Sequence, residues 1–242
     1  MKHRHLPYFS SCSAWLAAWP SVAAESGANA DEVVTGLSNT GPGLLIIALA
    51  AAMLLTLVIR ASAARVSNVM RVNAGKRRIA KVLSEKSKDV LDDFIVPGAY
   101  GGLTRIDHAI LTSGGVLCIQ TKHYNGVVFG GTDEPQWTNV DGTTRRKFLN
   151  PLIQNEGRTR ALQKVIPNVP VANLVVFTGK VQFTTPQEKN VIQVADLPSY
   201  IAKFVFGPCK IDDWDAVWLT VKAAALTDDD SRKDFHAQLS FS

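Results

Sequence analysis

An α/β domain of mixed sheet, carried behind one membrane-spanning helix, is the fold class that the sequence predicts. Three observations predict it. Gly43 to Ile59 is an uncharged apolar run in which Thr56 is the only conventional polar side chain. Beyond residue 90, short apolar and β-branched runs alternate with Gly-Gly, Asn-Gly and Asp-Gly breaks, the punctuation of strands and turns. Asn150-Pro151 then opens a helical stretch, and Leu174-Val175-Val176-Phe177 is apolar without interruption, as in a strand buried on both faces.

The chain begins with the basic Lys2-His3-Arg4-His5, a moderately apolar stretch around Trp15-Leu16-Ala17-Ala18-Trp19, and small residues at Ser21-Val22-Ala23-Ala24. That order predicts a signal peptide over 1–24, although Pro20 and three serines interrupt its apolar part. Residues 25–42 are small and polar and read as a flexible linker. The apolar run that follows predicts a transmembrane helix over 43–63, near the short end of a membrane span. A buried core helix would show an amphipathic stripe, and this run has none.

The 242 residues carry a net charge of +5, unevenly distributed. Residues 1–59 are net −1, residues 60–89 are net +7, and residues 90–242 are net −1. The excess is therefore a juxtamembrane feature, and the high isoelectric point is no evidence for a nucleic-acid surface. Its position predicts a single-pass protein of the inner (plasma) membrane with its C-terminal domain in the cytoplasm. The basic segment over 64–89 is also suited to anionic lipid headgroups. Cys12, Cys118 and Cys209 are too scattered for a disulfide framework or a metal knuckle. Cys118 lies in an apolar run and reads as core.

Residues 66–90 show helical spacing at Val69, Val72, Ile79, Val82 and Leu83, with Gly75 a weak point inside the run. An extended segment follows from Asp92 to Val96, then strands over Leu103–Leu111 and Val116–Tyr124, joined by a tight turn at Gly114-Gly115. Asn125-Gly126 predicts a hairpin, and Asp141-Gly142 a second turn ahead of Arg145-Arg146-Lys147-Phe148. The helix from Asn150-Pro151, with Asn as cap and Pro at the first position, is expected to end before Pro167. Val171–Thr178 is the buried strand, and Val191–Val194 a shorter one. Helices are expected from Asp196 to Phe204 and from Asp213 to Leu226, and a loose polar tail from Thr227.

The chemistry concentrates in Asp107, Gln120 and Lys122. Gln120 and Lys122 are two residues apart, so they share one strand face. Asp107 lies across the glycine turn on the neighbouring strand. A carboxylate, an amide and an ammonium on adjoining strands form a candidate site for a divalent metal and a phosphate. The alternative is a set of solvated strand ends.

With those residues in place, the chain resembles the nuclease-related domain (NERD) family of the PD-(D/E)XK restriction-endonuclease-like group. Arg105-Ile106-Asp107-His108 resembles the family's IDH strand. Gly115 to Lys122, with Tyr124 and Gly126, is similar to its segment of glycine, apolar residues, Ile-Glu-x-Lys, aromatic and glycine. Trp137 and Phe148-x-Asn150-Pro151-x-x-Gln154 resemble its W…F-x-NP-x-x-Q element, and Val175-Val176-Phe177-Thr178 its late strand. The resemblance covers about residues 73–200 and implies a restriction-endonuclease-like mixed sheet flanked by helices. It makes Asp107 the metal-binding carboxylate, with Gln120 at the second metal position. Lys122 would orient water or steady developing charge, and Gln154 would line the site from a helix. Mg²⁺, or Mn²⁺ in its place, is the implied cofactor.

Two positions depart from the family pattern. Gln120 stands where the family has a carboxylate, and Gly75-Lys76 stands where it has Gly-Glu; Glu85 or Asp89 would replace the missing acid only in a suitable helix register. Arg145, Arg146 and Lys147, with Arg158 and Arg160, are candidate phosphate contacts. The expected organisation is a nuclease-related core over 90–204 and a C-terminal helix and polar tail over 205–242. The expected function is Mg²⁺-dependent hydrolysis of DNA or RNA at the membrane. The alternative is a catalytically impaired module binding nucleic acid or protein partners there.

Overall fold

The computed structural model describes residues 42–205 and 212–240. The signal peptide expected over 1–24 and all but the last residue of the linker lie outside the described residues. The chain divides into two compact units, Met1–Ser62 and Ala63–Ser242.

Helix α1 (Pro42–Lys86) starts in the first unit and ends in the second. The span and the first domain helix, predicted separately, are thus one element. No proline interrupts it after its first residue, and Gly75 does not break it. Its large apolar side chains from Leu45 to Ile59 are 54–70% exposed. A core helix would bury them, so α1 is a candidate membrane span by length and composition.

In the second unit, β1 (Val90–Pro97), β2 (Leu103–Thr112), β3 (Gly115–Lys122), β7 (Val171–Phe177) and β9 (Val191–Gln193) form a mixed sheet in the order β1-β2-β3-β7-β9. The first two pairings are antiparallel, and β3–β7 and β7–β9 are parallel. The predicted glycine turn joins β2 to β3. Gly115 has φ 127° there, and a side chain on it would strike the Pro170 carbonyl.

The structure corrects the single sheet to two. The second sheet has the order β6-β5-β4-β8, from β4 (Gly126–Phe129), β5 (Gln136–Asp141), β6 (Thr144–Leu149) and β8 (Val181–Phe183). Asn125-Gly126 is not a hairpin. It is the corner at which the chain leaves the first sheet for the second. The parallel pair β3–β7 becomes the parallel pair β4–β8 across residues 123–125 and 178–180. Asn125 Oδ1 accepts from Lys180 N (3.0 Å), and Asn139 Nδ2 donates to the Asn125 carbonyl (2.7 Å). These bonds satisfy the corner's backbone in place of a turn.

Helices cover both faces of the first sheet. One core joins Phe94, Ile106 and Cys118 to Ala161 and Leu162 of α2 (Pro151–Val165) and to Trp218 and Val221 of α4 (Trp214–Ala224). The other joins Ile110, Leu117 and Leu174 to Ile79 and Leu83 of α1 and to Leu197 and Ile201 of α3 (Leu197–Val205). Full burial of a Leu or Ile contributes roughly 1.5–3 kcal/mol, so Ile79 and Leu83 secure the C-terminal part of α1 to the sheet. A third core, under the corner, holds Trp137, Phe177 and Val128.

The polar tail expected from Thr227 is also corrected: α5 (Asp229–Ser240) forms there. Asp228 accepts from Ser231 N (2.8 Å) and so caps it. The helix buries no residue. Polar contacts hold it, with Gln238 bonding both the N–H (2.7 Å) and the carbonyl (3.1 Å) of Leu103.

Candidate functional site

The site is built where β1, β2 and β3 approach α1 and α2. Cross-strand pairs Asp92↔His108 and Phe94↔Ile106 put Asp93 opposite Asp107 in the register. Asp93 interrupts the ladder with φ 53°, the only non-glycine residue at positive φ among those described. Asp tolerates this left-handed conformation better than most residues.

The Asp107 carboxylate is held at both oxygens. Oδ1 accepts from Lys76 Nζ (2.5 Å), and Oδ2 from the Thr121 backbone N–H (3.0 Å). Burial opposes its charge, but Lys76, the Thr121 N–H and Arg158 together hold its pKa below the ordinary 3.8. Lys76 Nζ is also 3.7 Å from Asp93 Oδ1, so one ammonium lies between two aspartates. Asp93 further binds Arg105 (2.5 Å) and Arg232 of α5 (2.9 Å). Its burial is likewise outweighed by Arg232, Arg105 and Lys76, and its pKa is lowered.

Gly75 explains how Lys76 reaches Asp107. A Cβ at Gly75 would collide with Thr178 Oγ1 at the end of β7. Glycine lets α1 lie close against the sheet edge, one residue before Lys76.

Gln120, Lys122 and Gln154 do come together as expected. Gln154 Oε1 accepts from Lys122 Nζ (2.6 Å) and from Gln120 Nε2 (2.7 Å). Turned over, the Gln120 amide meets the Pro151 carbonyl (2.9 Å) and Arg158 Nη1 (3.1 Å) instead. Burial and the nearby Arg158 lower the Lys122 pKa to about 8, against the pull of Asp107.

Asn150 caps α2 by accepting from Leu152 N (2.9 Å), which aims Gln154 one turn later at the strands. Arg158, on the same helix face, donates to the carbonyls of Arg105 (2.9 Å) and Gln154 (3.1 Å). It ties α2 to β2. Arg160 pairs with Glu156 (3.0 Å) and Tyr100 (2.5 Å) on the surface. Trp137 and Phe148 of the sequence pattern pack in the corner, where Tyr124 stacks on Phe148 at 4.4 Å. Burial raises the Cys118 thiol to about 12, as a core residue.

A cleft of about 660 Å³ opens beside Lys122, between residues 64–72 of α1, the end of β3 and the β5–β6 hairpin. Arg65, Arg71, Lys122, Arg146 and Lys147 line it, with Asp141 the one acid. Arg145 lies on β6 outside this lining. Two lining residues, Thr121 and His123, each carry a buried polar atom with no protein hydrogen-bond partner, Oγ1 and Nε2. Buried polar groups ordinarily find one.

The donor set is a poor fit to Mg²⁺. A hard divalent cation takes several oxygen ligands, carboxylates first. Here the oxygens of Asp107 are engaged, Gln120 offers only a neutral amide, and two ammoniums stand close by. Among the described residues, no three His, Cys, Asp or Glu side chains gather as a metal site.

Reasoning from sequence missed Asp93, Lys76 as a partner of Asp107, and the α1 side of the cleft. The Asp92-Asp93 doublet at the head of an apolar strand was the available signal for the first. Arg232, 139 residues from Asp93, left none.

The model of the nuclease-related domain family, NERD, matches residues 71–178, and bears out the resemblance over that stretch. It runs from Arg71 in the cleft to Thr178 at the corner and includes Lys76, Asp93, Asp107, Gln120, Lys122 and Gln154. An uncharacterized protein of Bacillus anthracis is 27% identical over 168 residues, covering 66% of this chain and 79% of its own length. No solved structure matches the chain.

Proposed function

We propose, from the nuclease-related domain matched over residues 71–178, that this chain is a membrane-anchored protein that binds nucleic acid on the cytoplasmic side. The observation that carries the reading is the cationic cleft. Five cationic side chains on three elements face one concavity: Arg65 and Arg71 come from the basic segment 60–89, and Lys122, Arg146 and Lys147 from residues 90–242, which are net −1 as a whole. Concentrated positive charge with the exposed amide of Asn68 suits phosphate oxygens and sugar edges, which are recognised without regard to base sequence. Lys122 joins the cleft to the Gln120–Gln154 pair, so a bound phosphate would meet the site described above. Arg146 and Lys147 act as phosphate contacts; Arg158 positions α2.

Anchoring follows from the exposed apolar length of α1 and from the charge beyond it. Arg60, Arg65, Arg71 and Lys76 through Arg78 follow the run, and no Lys or Arg lies between residues 25 and 59. That asymmetry retains the C-terminal side in the cytoplasm, and Arg60, next to the apolar run and outside the cleft, suits anionic headgroups.

Mg²⁺-dependent hydrolysis within a restriction-endonuclease-like fold is the second reading. One observation favours it: Lys122, with a pKa near 8, can exchange a proton near neutral pH. The experiment for both incubates the full chain in detergent micelles with single- and double-stranded DNA and RNA, in EDTA, Mg²⁺ or Mn²⁺. The proposed function requires salt-sensitive binding in EDTA with the oligonucleotide intact. Metal-dependent cleavage lost in Lys122→Ala would install the second reading. Absence of binding at low salt would overturn both.

A further inference from the structure

The geometry points to Lys76 as the resident cation of this site, an ammonium in the place between Asp93 and Asp107 that a divalent ion would otherwise take. The inference deepens the reading of Asp107 as a site residue and rests on it.

The register sets Asp93 across from Asp107 on neighbouring strands. Like charges so placed repel one another. Each is nevertheless paired with cations, Asp107 with Lys76 and Asp93 with Arg105 and Arg232. The charge between them is Lys76 Nζ, 2.5 Å from Asp107 and 3.7 Å from Asp93. Three further observations make this a built arrangement. Gly75 admits α1 to the sheet edge through its missing side chain. The Lys76 side chain is only 22% exposed and that of Asp107 14%. Asp93 holds a left-handed backbone while Arg105 and Arg232 secure its carboxylate.

The consequence is chemical. A divalent ion beside Asp107 must displace an ammonium tied to the protein chain, whose local concentration far exceeds that of a free ion. The native site is therefore filled by an ammonium, and divalent ions do not change its occupancy. Removing the Lys76 charge should leave two carboxylates facing one point, and an acid there should make three.

The test measures metal occupancy directly. Mn²⁺ is titrated into the full chain in detergent micelles, and free Mn²⁺ is followed by electron paramagnetic resonance. The wild-type chain is expected to take up no Mn²⁺ that Asp107→Asn abolishes. Lys76→Glu is expected to bind one equivalent, lost again in Lys76→Glu/Asp107→Asn. In case the acid prevents folding, Lys76→Met supplies a second measurement: Mn²⁺ should raise its melting temperature, with no such rise in the wild type or in Lys76→Met/Asp107→Asn. Asp107-dependent Mn²⁺ uptake by the wild type would overturn the inference. So would a folded Lys76→Glu that binds none. A chain showing the expected Mn²⁺ pattern but no oligonucleotide binding would support the resident cation and remove the proposed function, so the two fail separately.

Discussion

Lys122 is the residue whose behaviour near neutral pH is most open to measurement. Its folded pKa is about 8, so it is mostly charged at pH 7 and mostly neutral at pH 9. A phosphate contact that depends on this charge is present below pH 8 and lost above it. Oligonucleotide affinity should fall by up to about tenfold between pH 7 and 9, near 1.4 kcal/mol for one contact. Lys122→Arg should flatten that profile, because a guanidinium stays charged. Asp107 and Asp93 run the other way. Their folded pKa values lie below 3.8, so the stability they contribute is complete above 3.8 and disappears as pH falls toward the folded values. Asp107→Asn leaves the partly buried Lys76 without its closest carboxylate and should cost about 1–3 kcal/mol in chemical denaturation.

At the scale of elements, α1 carries the most consequence. Its packing on the sheet rests on Ile79 and Leu83, both fully buried, and on the close approach at Gly75. Leu83→Ala should destabilise the domain by roughly 2–5 kcal/mol through the lost side chain and the cavity it leaves. Gly75→Ala should cost roughly 1–3 kcal/mol by overpacking against Thr178, and should also draw Lys76 away from Asp107. Helix α5 is the contrast, since none of its residues is fully buried. Arg232→Ala should change stability by less than about 1 kcal/mol, because the pair with Asp93 is about one-third exposed on both sides.

The same elements explain what the sequence could disclose. Local chemistry was legible: the Asn150 cap, the Gly114-Gly115 turn, the alternation of strands, and Gln120 sharing a face with Lys122. The corner at Asn125-Gly126 was not. Asn-Gly suits a two-residue hairpin, and only the distant partners Lys180 and Asn139 convert it into a change of sheet. Gly75 was legible as a weak helical residue, but its reason, Thr178, lies 103 positions away. The Lys76–Asp107 pair spans 31 residues and depends on the register of α1 against β2, which no local pattern encodes. Arg158 and Arg145 share a charge with Arg146 and Lys147, and only the fold separates backbone tie from cleft wall.

For the whole molecule, charge distribution sets the expected behaviour. In the proposed anchored protein, the excess of +7 over residues 60–89 would set the orientation. A fluorescent reporter that matures only in the cytoplasm, fused after Ser242, should be active; an active reporter of the external compartment at that point would reverse the topology. With residues 90–242 at net −1, the proposed nucleic-acid binding is assigned to the local cleft, and salt would read how many phosphates it touches. The most direct measurement is the salt dependence of oligonucleotide binding by the full chain in micelles, in EDTA, for the wild type and for Arg71→Ala, Arg146→Ala and Lys147→Ala. We expect binding that weakens linearly on a log–log plot, with each substitution reducing the slope by about one. Slopes unchanged by all three substitutions, or no binding at low salt, would contradict the cleft as the nucleic-acid site.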